Sequence, residues 1–401
     1  MAAFSDRPAR AQYDVVIIGG AMMGASVAWF LSTHPGFDGH VLVVERDPSH
    51  EACSTAHSNS CMRQQFSSPL NVRVSQFAAQ YIRNFREEIG DPRVPPVDTH
   101  FFGYLYLADS PARAAELRSD QAMQAGLGAG TRLLEPEALA RKFPFFNLDG
   151  IVLGSWNPVD EGYFDGGTLF EWWRRGARAR GVEFLHGEVQ GIETEKGVRV
   201  VAVRLADGTR IGCGAVVNAA GPRAGRVAAM AGIELPVEPR KRMTWVVEAA
   251  RPLDQDLPLT VDPSGVHFRS DGKFYMVGAT PDPDPAVDPE DFAEVPGLWE
   301  EFAWPALAAR IPQFERLRVV QSWAGHYAFN RVDQNAVLGP HPVLDNFHFI
   351  NGFSGHGLQQ APAMGRGLAE RIVTGRYQSL DLSGFGFERL SGAARAERAV
   401  I

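Results

Sequence analysis

Residues 13–24 read YDVVIIGGAMMG and run on into ASVAWFLST. Tyr13–Ile18 is β-branched, apolar and bounded by glycine, the pattern of a buried strand. The apolar residues after the glycines recur at helical spacing, so a helix opens at the turn. A second apolar run, Val41–Val44, ends in Glu45, about 20 residues after Gly24. Strand, glycine turn, helix, strand and acid follow one another as in a dinucleotide-binding unit. The tight turn Gly19, Gly20, Ala21, Met22, Met23, Gly24 lets the helix aim its free N–H groups at a pyrophosphate. Glu45 is placed to accept ribose hydroxyls and to disfavour a 2′-phosphate. The middle glycine of GxGxxG is replaced by Ala21, so this stretch alone specifies a dinucleotide and no more. The plainer alternative is a glycine turn in an ordinary βαβ unit.

The chain has 401 residues, 45% of them hydrophobic and 21% charged, which suits two or three globular domains. Its formal net charge of −8 argues against a general affinity for nucleic acid, which needs a basic face. The three cysteines, Cys53, Cys61 and Cys213, form no CxxC motif. No disulfide framework and no metal site are expected, and a reducing compartment fits. No apolar run reaches the roughly 18 residues of a membrane span. The first residues lack the apolar core of a secretory signal, so a cytoplasmic location is expected.

Three further segments narrow the dinucleotide to a flavin. Glu45 and Arg46 are followed by Ser54, Thr55, Ala56, His57, Ser58, Asn59 and Ser60, with Met62 just beyond. Small hydroxyl residues suit a loop lying along a diphosphate and ribityl chain. Val216–Gly221 (VVNAAG) is a short apolar strand whose end, Ala220 and Gly221, permits close backbone approach to a ligand. Val189, in the hairpin before it, is placed to cover an adenine. Near the C-terminus, Phe347–Ile350 leads into a second glycine turn containing Gly352, Gly355, His356, Gly357, Leu358 and Gln359, and then a helical pattern. That helix N-terminus suits the negative charge of a reduced flavin, which a nicotinamide enzyme does not need.

The motifs VVIIGGAMMGAS, VLVVERD, VVNAAGPRA, HFRSDGKFYMVGAT and GFSGHGLQQAPAMGR resemble the D-amino-acid oxidase superfamily of FAD-dependent oxidoreductases. The resemblance covers nearly the whole chain and lies with the branch containing sarcosine oxidase, dimethylglycine dehydrogenase and glycine oxidase. It implies an α/β fold with a Rossmann-like FAD-binding domain interleaved with a substrate domain on a mostly antiparallel sheet. The first domain would take 1–98, 156–228 and 320–401, and the second 99–155 and 229–319. The Pro/Asp-rich stretch TPDPDPAVDPEDF (280–292) reads as a solvated connection between strands.

Site roles follow from the same resemblance. Arg63 is implied as the anchor for a substrate carboxylate, the alternative being an arginine bound to flavin or a neighbouring acid. Gln359 and Tyr327 stand where the family meets the carboxylate, but Gln359 replaces a lysine there. Met276 and Thr280 replace a lysine used for oxygen activation and a histidine. His57 resembles a histidine that carries covalent FAD, the alternative being a loop histidine in polar contact. No attaching cysteine stands at Gly325 or His326. His356 reads as a turn residue packed on the flavin. The implied activity is oxidation of an amino acid, best an N-substituted glycine, by hydride transfer to flavin, with imine hydrolysis and reduction of O2 to H2O2. An electron-transfer partner in place of O2 stays open. A 2-hydroxy acid or D-amino acid is the second option; for a hydroxy acid His267 or His326 would serve as base, since Thr280 stands at the family's histidine position. A third is a flavin-containing assembly protein, because RQQFSSPLN and WAGHYAFNRVDQNAVLGPHP resemble a mitochondrial group of that kind.

Overall fold

The computed structural model describes residues 4–392 and 395–400. In chain order, the elements that position the site are β1 (Gln12–Ile18), α1 (Met22–Thr33), β2 (Val41–Glu45), α2 (Pro69–Arg83), β3 (Tyr104–Ala108), β4 (Arg210–Asn218), β5 (Val237–Ala249), β6 (His267–Asp271), β7 (Phe274–Ala279), β8 (Leu317–Asn330), β9 (Phe347–Asn351) and α3 (Gly357–Thr374).

One sheet carries the glycine turns. Its β2, β1, β4 and β9 lie side by side and parallel. A hairpin of Val189–Glu195 and Arg199–Leu205 extends the N-terminal half of β4 antiparallel. Val15, Val16 and Ile17 are almost completely buried, as expected for a parallel sheet covered on both faces. Because the four strands run the same way, their carboxyl ends open on one edge. Gly19, Glu45, Ala219 and Gly352 all leave the sheet there. The expected Rossmann-like layer is thus present, and each cofactor motif sits at a strand end. Helix α1 packs tightly into this layer. Ser26 Oγ donates to the Ala361 carbonyl of α3 at 2.8 Å, and a side chain on Gly365 would overlap Ser26.

The second sheet has the order β8, β5, β7, β6, Leu259–Val261, β3, Leu153–Asn157, Arg132–Leu134. All its pairings are antiparallel except that of β3 with Leu259–Val261. Alternation sorts its side chains. Leu105, Leu107, Met243, Trp245, Phe268 and Val277 point into one core with Leu307 and Phe314. Tyr104, Arg242, Thr244, His267 and Tyr327 take the opposite parity. The β5–β8 ribbon pairs from Val237↔Asn330 to Ala249↔Leu317. Val237 belongs to the core of the first sheet and Met243 to that of the second, so the ribbon ties the layers together.

Gly24 is the tightest point of the first turn. An added Cβ would overlap the Gly19 carbonyl and lie 3.3 Å from Ile17. Gly24→Ala is expected to destabilise the protein by about 3 kcal/mol, read as a lower unfolding midpoint in thermal melts.

Candidate active site

The strand ends enclose a cavity of about 330 Å³ that reaches from the first glycine turn to the second sheet. At its nucleotide end, Gly19 adopts φ +99° and brings its Cα against β4, where a Cβ would stand 2.6 Å from the Ala219 carbonyl oxygen. Glu45 is buried and accepts from Gly20 N at 2.7 Å and Asp47 N at 2.8 Å. Burial raises its carboxyl above the usual range. Met22 N donates to Thr55 Oγ1 at 3.2 Å, and Ser54 Oγ donates to the His326 carbonyl at 2.7 Å. The hydroxyl-rich loop therefore closes over the start of α1. At the far end, α3 starts after His356 with no side-chain cap, leaving its first N–H groups available.

Of the residues expected at a cofactor, Gly20, Gly24, Met62 and Gly352 lie behind the cavity wall, and the others line it. The substrate candidates Arg63, Tyr327 and Gln359 also line it. Met276 and Thr280 do not. Met276 sits on β7 with its sulfur accepting from Arg269 Nη2 at 3.4 Å, and Thr280 is half-buried just past the end of β7.

Arg63 is 5% exposed. Its backbone N donates to Gln359 Oε1 at 2.7 Å, its Nη2 donates to the Ala399 carbonyl, and its guanidinium lies 4.5 Å from the Phe66 ring centre. Among the described residues no carboxylate pairs with it. Glu161, fully buried nearby, accepts instead from Gln64 N at 2.6 Å, Gln65 N at 3.1 Å and Asn157 Nδ2 at 2.8 Å, and burial pushes its carboxyl up to about 8. Tyr327 is clamped. Its ring would overlap any side chain on Gly355, and Arg242 Cζ lies 4.6 Å above it. Arg242 is itself paired with Asp284 at 2.9 and 3.1 Å. His267 lies across Gly278, where a Cβ would overlap its ring. Burial, then Arg242 and Arg63, push His267 down to about 4, and burial with Arg63 holds His356 well below the usual imidazole range. Both imidazoles are neutral at neutral pH.

Arg63 Nε, Gln359 Nε2, Arg242 Nε, His267 Nδ1, Tyr104 OH and both ring nitrogens of His356 are buried without a hydrogen-bond partner. Buried polar atoms in folded proteins are almost always paired. These atoms belong to residues that line one cavity, where a bound ligand could meet them. An FAD fits the donor set: a glycine cradle without Cβ atoms, Glu45 for a ribose, and uncapped N–H groups with His356 for the ring.

Arg242 and Tyr104 were not evident as site residues in the sequence. Strand parity was the available signal: Arg242 and Thr244 alternate with the buried Met243 and Trp245. His57 Nδ1 lies 2.9 Å from the Cys53 carbonyl and so carries its proton. Its ring stacks on Phe292 at 5.1 Å, and its Cβ lies 2.9 Å from where a Cβ on Gly325 would stand. Phe292 ends the stretch 280–292, in which Asp282, Pro283, Pro285, Ala286, Asp288 and Glu290 are exposed while Glu290 also lines the cavity.

The FAD dependent oxidoreductase (DAO) family profile matches residues 14–371. FAD-dependent oxidoreductase domain-containing protein 1 of Bos taurus is 39% identical over 97% of this chain and 87% of its own length. Sarcosine oxidase subunit beta of Rhizobium meliloti (strain 1021) is 27% identical over 91% of this chain and 86% of its own. The structure of L-proline dehydrogenase from P. horikoshii superimposes with a TM-score of 0.79 at 25% identity, covering 94% of this chain and 97% of that one. Glycine oxidase from Geobacillus kaustophilus shares the fold at the same TM-score of 0.79 and 21% identity, covering 94% and 98%.

Two outcomes follow. With His57 held by Cys53 and Phe292, acid precipitation is expected to release all of the yellow colour into the supernatant. Colour retained in the pellet would show a covalent flavin. The second concerns acid. His50, His267 and His348 are each pushed down to about 4 by burial, against 6.5 when free. The unfolded chain binds more protons at these three histidines between these values, so their contribution to stability is full above about 6.5 and is lost as pH drops towards 4, outweighing the opposite contribution of the single carboxyl of Glu161. Thermal midpoints measured across that window should decline, and His348→Phe should flatten the decline.

Proposed function

The chain belongs to the DAO family of FAD-dependent oxidoreductases, and on that premise we propose that it oxidises a secondary amino acid of the N-substituted glycine type. Bound FAD supplies the acceptor for the hydride leaving the substrate α-carbon. The observation that carries the reading is Arg63. It is a buried guanidinium without a carboxylate partner among the described residues, beside a Gln359 amide whose Nε2 has none either. A buried cation of this kind takes a carboxylate through charge-assisted hydrogen bonds. Arg63 and Gln359 hold that carboxylate, and Tyr327, fixed between Gly355 and Arg242, limits how the α-carbon can lie. His267 stays neutral beside them and accepts an N–H of the substrate. The apolar walls exclude water until the imine product leaves and hydrolyses in solution. Reduction of O2 to H2O2 completes the proposed cycle.

A second reading, oxidation of a 2-hydroxy acid, draws on the same neutral His267, which would take the hydroxyl proton. Anaerobic mixing separates them. N-methyl and N-carboxymethyl amino acids should bleach the yellow flavin, and readmitted air should restore the colour with release of hydrogen peroxide. Bleaching only by hydroxy acids would favour the second reading. No bleaching by either class would overturn both and leave a flavoprotein without amine turnover. Arg63→Ala should keep its FAD while binding carboxylate inhibitors roughly a hundredfold more weakly, about 3 kcal/mol. Loss of FAD itself would mean that Arg63 serves the cofactor.

A further inference from the structure

The segment 284–292 comes from the second sheet and reaches across to the nucleotide end of the cavity. Three of its side chains, Glu290, Asp288 and Phe292, meet the other wall, and Asp291 ties the segment back to its own sheet. Glu290 bridges two guanidiniums, Arg46 from the end of β2 and Arg223 from the turn after β4, and all three residues line the cavity. The bonds from Arg46, with those of Arg223, hold the Glu290 carboxyl down at about 2. Asp288 pairs with Arg226 at 2.8 Å. Asp291 pairs with Lys241 of β5 at 2.9 Å, and Lys241 also donates to the Ala293 carbonyl at 2.7 Å. Phe292 packs between two imidazoles, 5.1 Å from His57 and 4.4 Å from His326.

We propose that residues 284–292 are a clasp that retains FAD, with the Glu290 bridge to Arg46 and Arg223 and the Phe292 contact with His57 as its two fastenings. The residues that Glu290 grips are continuous with the nucleotide site: Arg46 follows the ribose acid Glu45, and Arg223 follows the Ala220–Gly221 strand end. His57, which Phe292 covers, lies in the hydroxyl loop that bonds to the start of α1. Glu290 of the segment thus lines the cofactor cavity with its two arginines, and the segment closes over that end of it until the bridge opens. Each exposed ion pair alone contributes little. All of them lie on one short segment with Pro285 and Pro289 in it, so they open together. The inference rests on FAD binding and not on the substrate proposed above.

The test is the rate of FAD release, followed as the return of free-flavin fluorescence after dilution of the holoprotein. Glu290→Ala and Phe292→Ala are each expected to release FAD roughly tenfold faster. Glu290→Asp, which keeps the charge, should recover part of the loss, and Glu290→Gln should not. Salt should speed release from the unaltered protein and have less effect on Glu290→Ala, because screening then has only the Asp288–Arg226 pair left to weaken across the walls. The salt series on the unaltered protein needs no variant to fold. Release that is insensitive to salt, or equal in Glu290→Ala and the unaltered protein, would overturn the clasp. A variant that melts earlier but releases FAD at the unaltered rate would show a structural tie only, which also overturns it.

Discussion

The approach of Gly19 to the end of β4 is the constraint on which the rest depends. With φ at +99° and the Ala219 carbonyl where a Cβ would be, only glycine lets β1 turn sharply while staying against its neighbour. That turn fixes where α1 starts and which way its N–H groups face. It also presents Gly20 N to Glu45, so one backbone donor sets the carboxylate that ends β2. Gly24 then has to be bare because the helix folds straight back over the Gly19 carbonyl. A single local geometry thus orients helix, acid and both flanking strands before any ligand is present.

The other half of the site is built on contact between the layers. The β5–β8 ribbon starts in one core and ends in the other, and Tyr327 lies on it where the ribbon passes the second glycine turn. As at Gly19, the missing Cβ of Gly355 permits a close approach, here of the turn after the first sheet to Tyr327 of the second. The Tyr327 ring and the start of α3 are consequently held by the same contact.

The first sheet was legible in the sequence because its signals are local. A strand, its glycine turn and its acid lie within one short stretch, and the second glycine turn repeats the pattern. The mostly antiparallel second sheet followed from the family resemblance and from alternating strands. The polar residues between those strands were less legible. Arg242 and Tyr104 lie on strands that were recognised, but nothing in the chain says which face of a strand meets a cavity made by a distant element. The stretch 280–292 read as a solvated connection because prolines and acids look alike in a free loop and in an ion-paired one. Only its partners Arg46, Arg223, Arg226 and Lys241, distant in sequence, distinguish the two.

Charge placement in the cavity explains why Arg63, rather than any of its cationic neighbours, is suited to an incoming anion. Arg242 is balanced by Asp284 and Arg269 by Asp271. The acids near Arg63 are engaged elsewhere. Glu161 is tied to the Gln64 and Gln65 amides and pushed up to about 8, and Glu397 accepts from Ser67 and Asn71. Neighbouring His267 and His356 stay neutral because the same guanidinium and the same burial disfavour a second positive charge. Among the described residues, the cavity around Arg63 therefore holds one guanidinium without a direct counter-ion, flanked by neutral donors and acceptors. A ligand with one carboxylate and an adjacent neutral nitrogen matches that distribution. A dication, or a ligand without an acid, would leave Arg63 buried with its charge unmet.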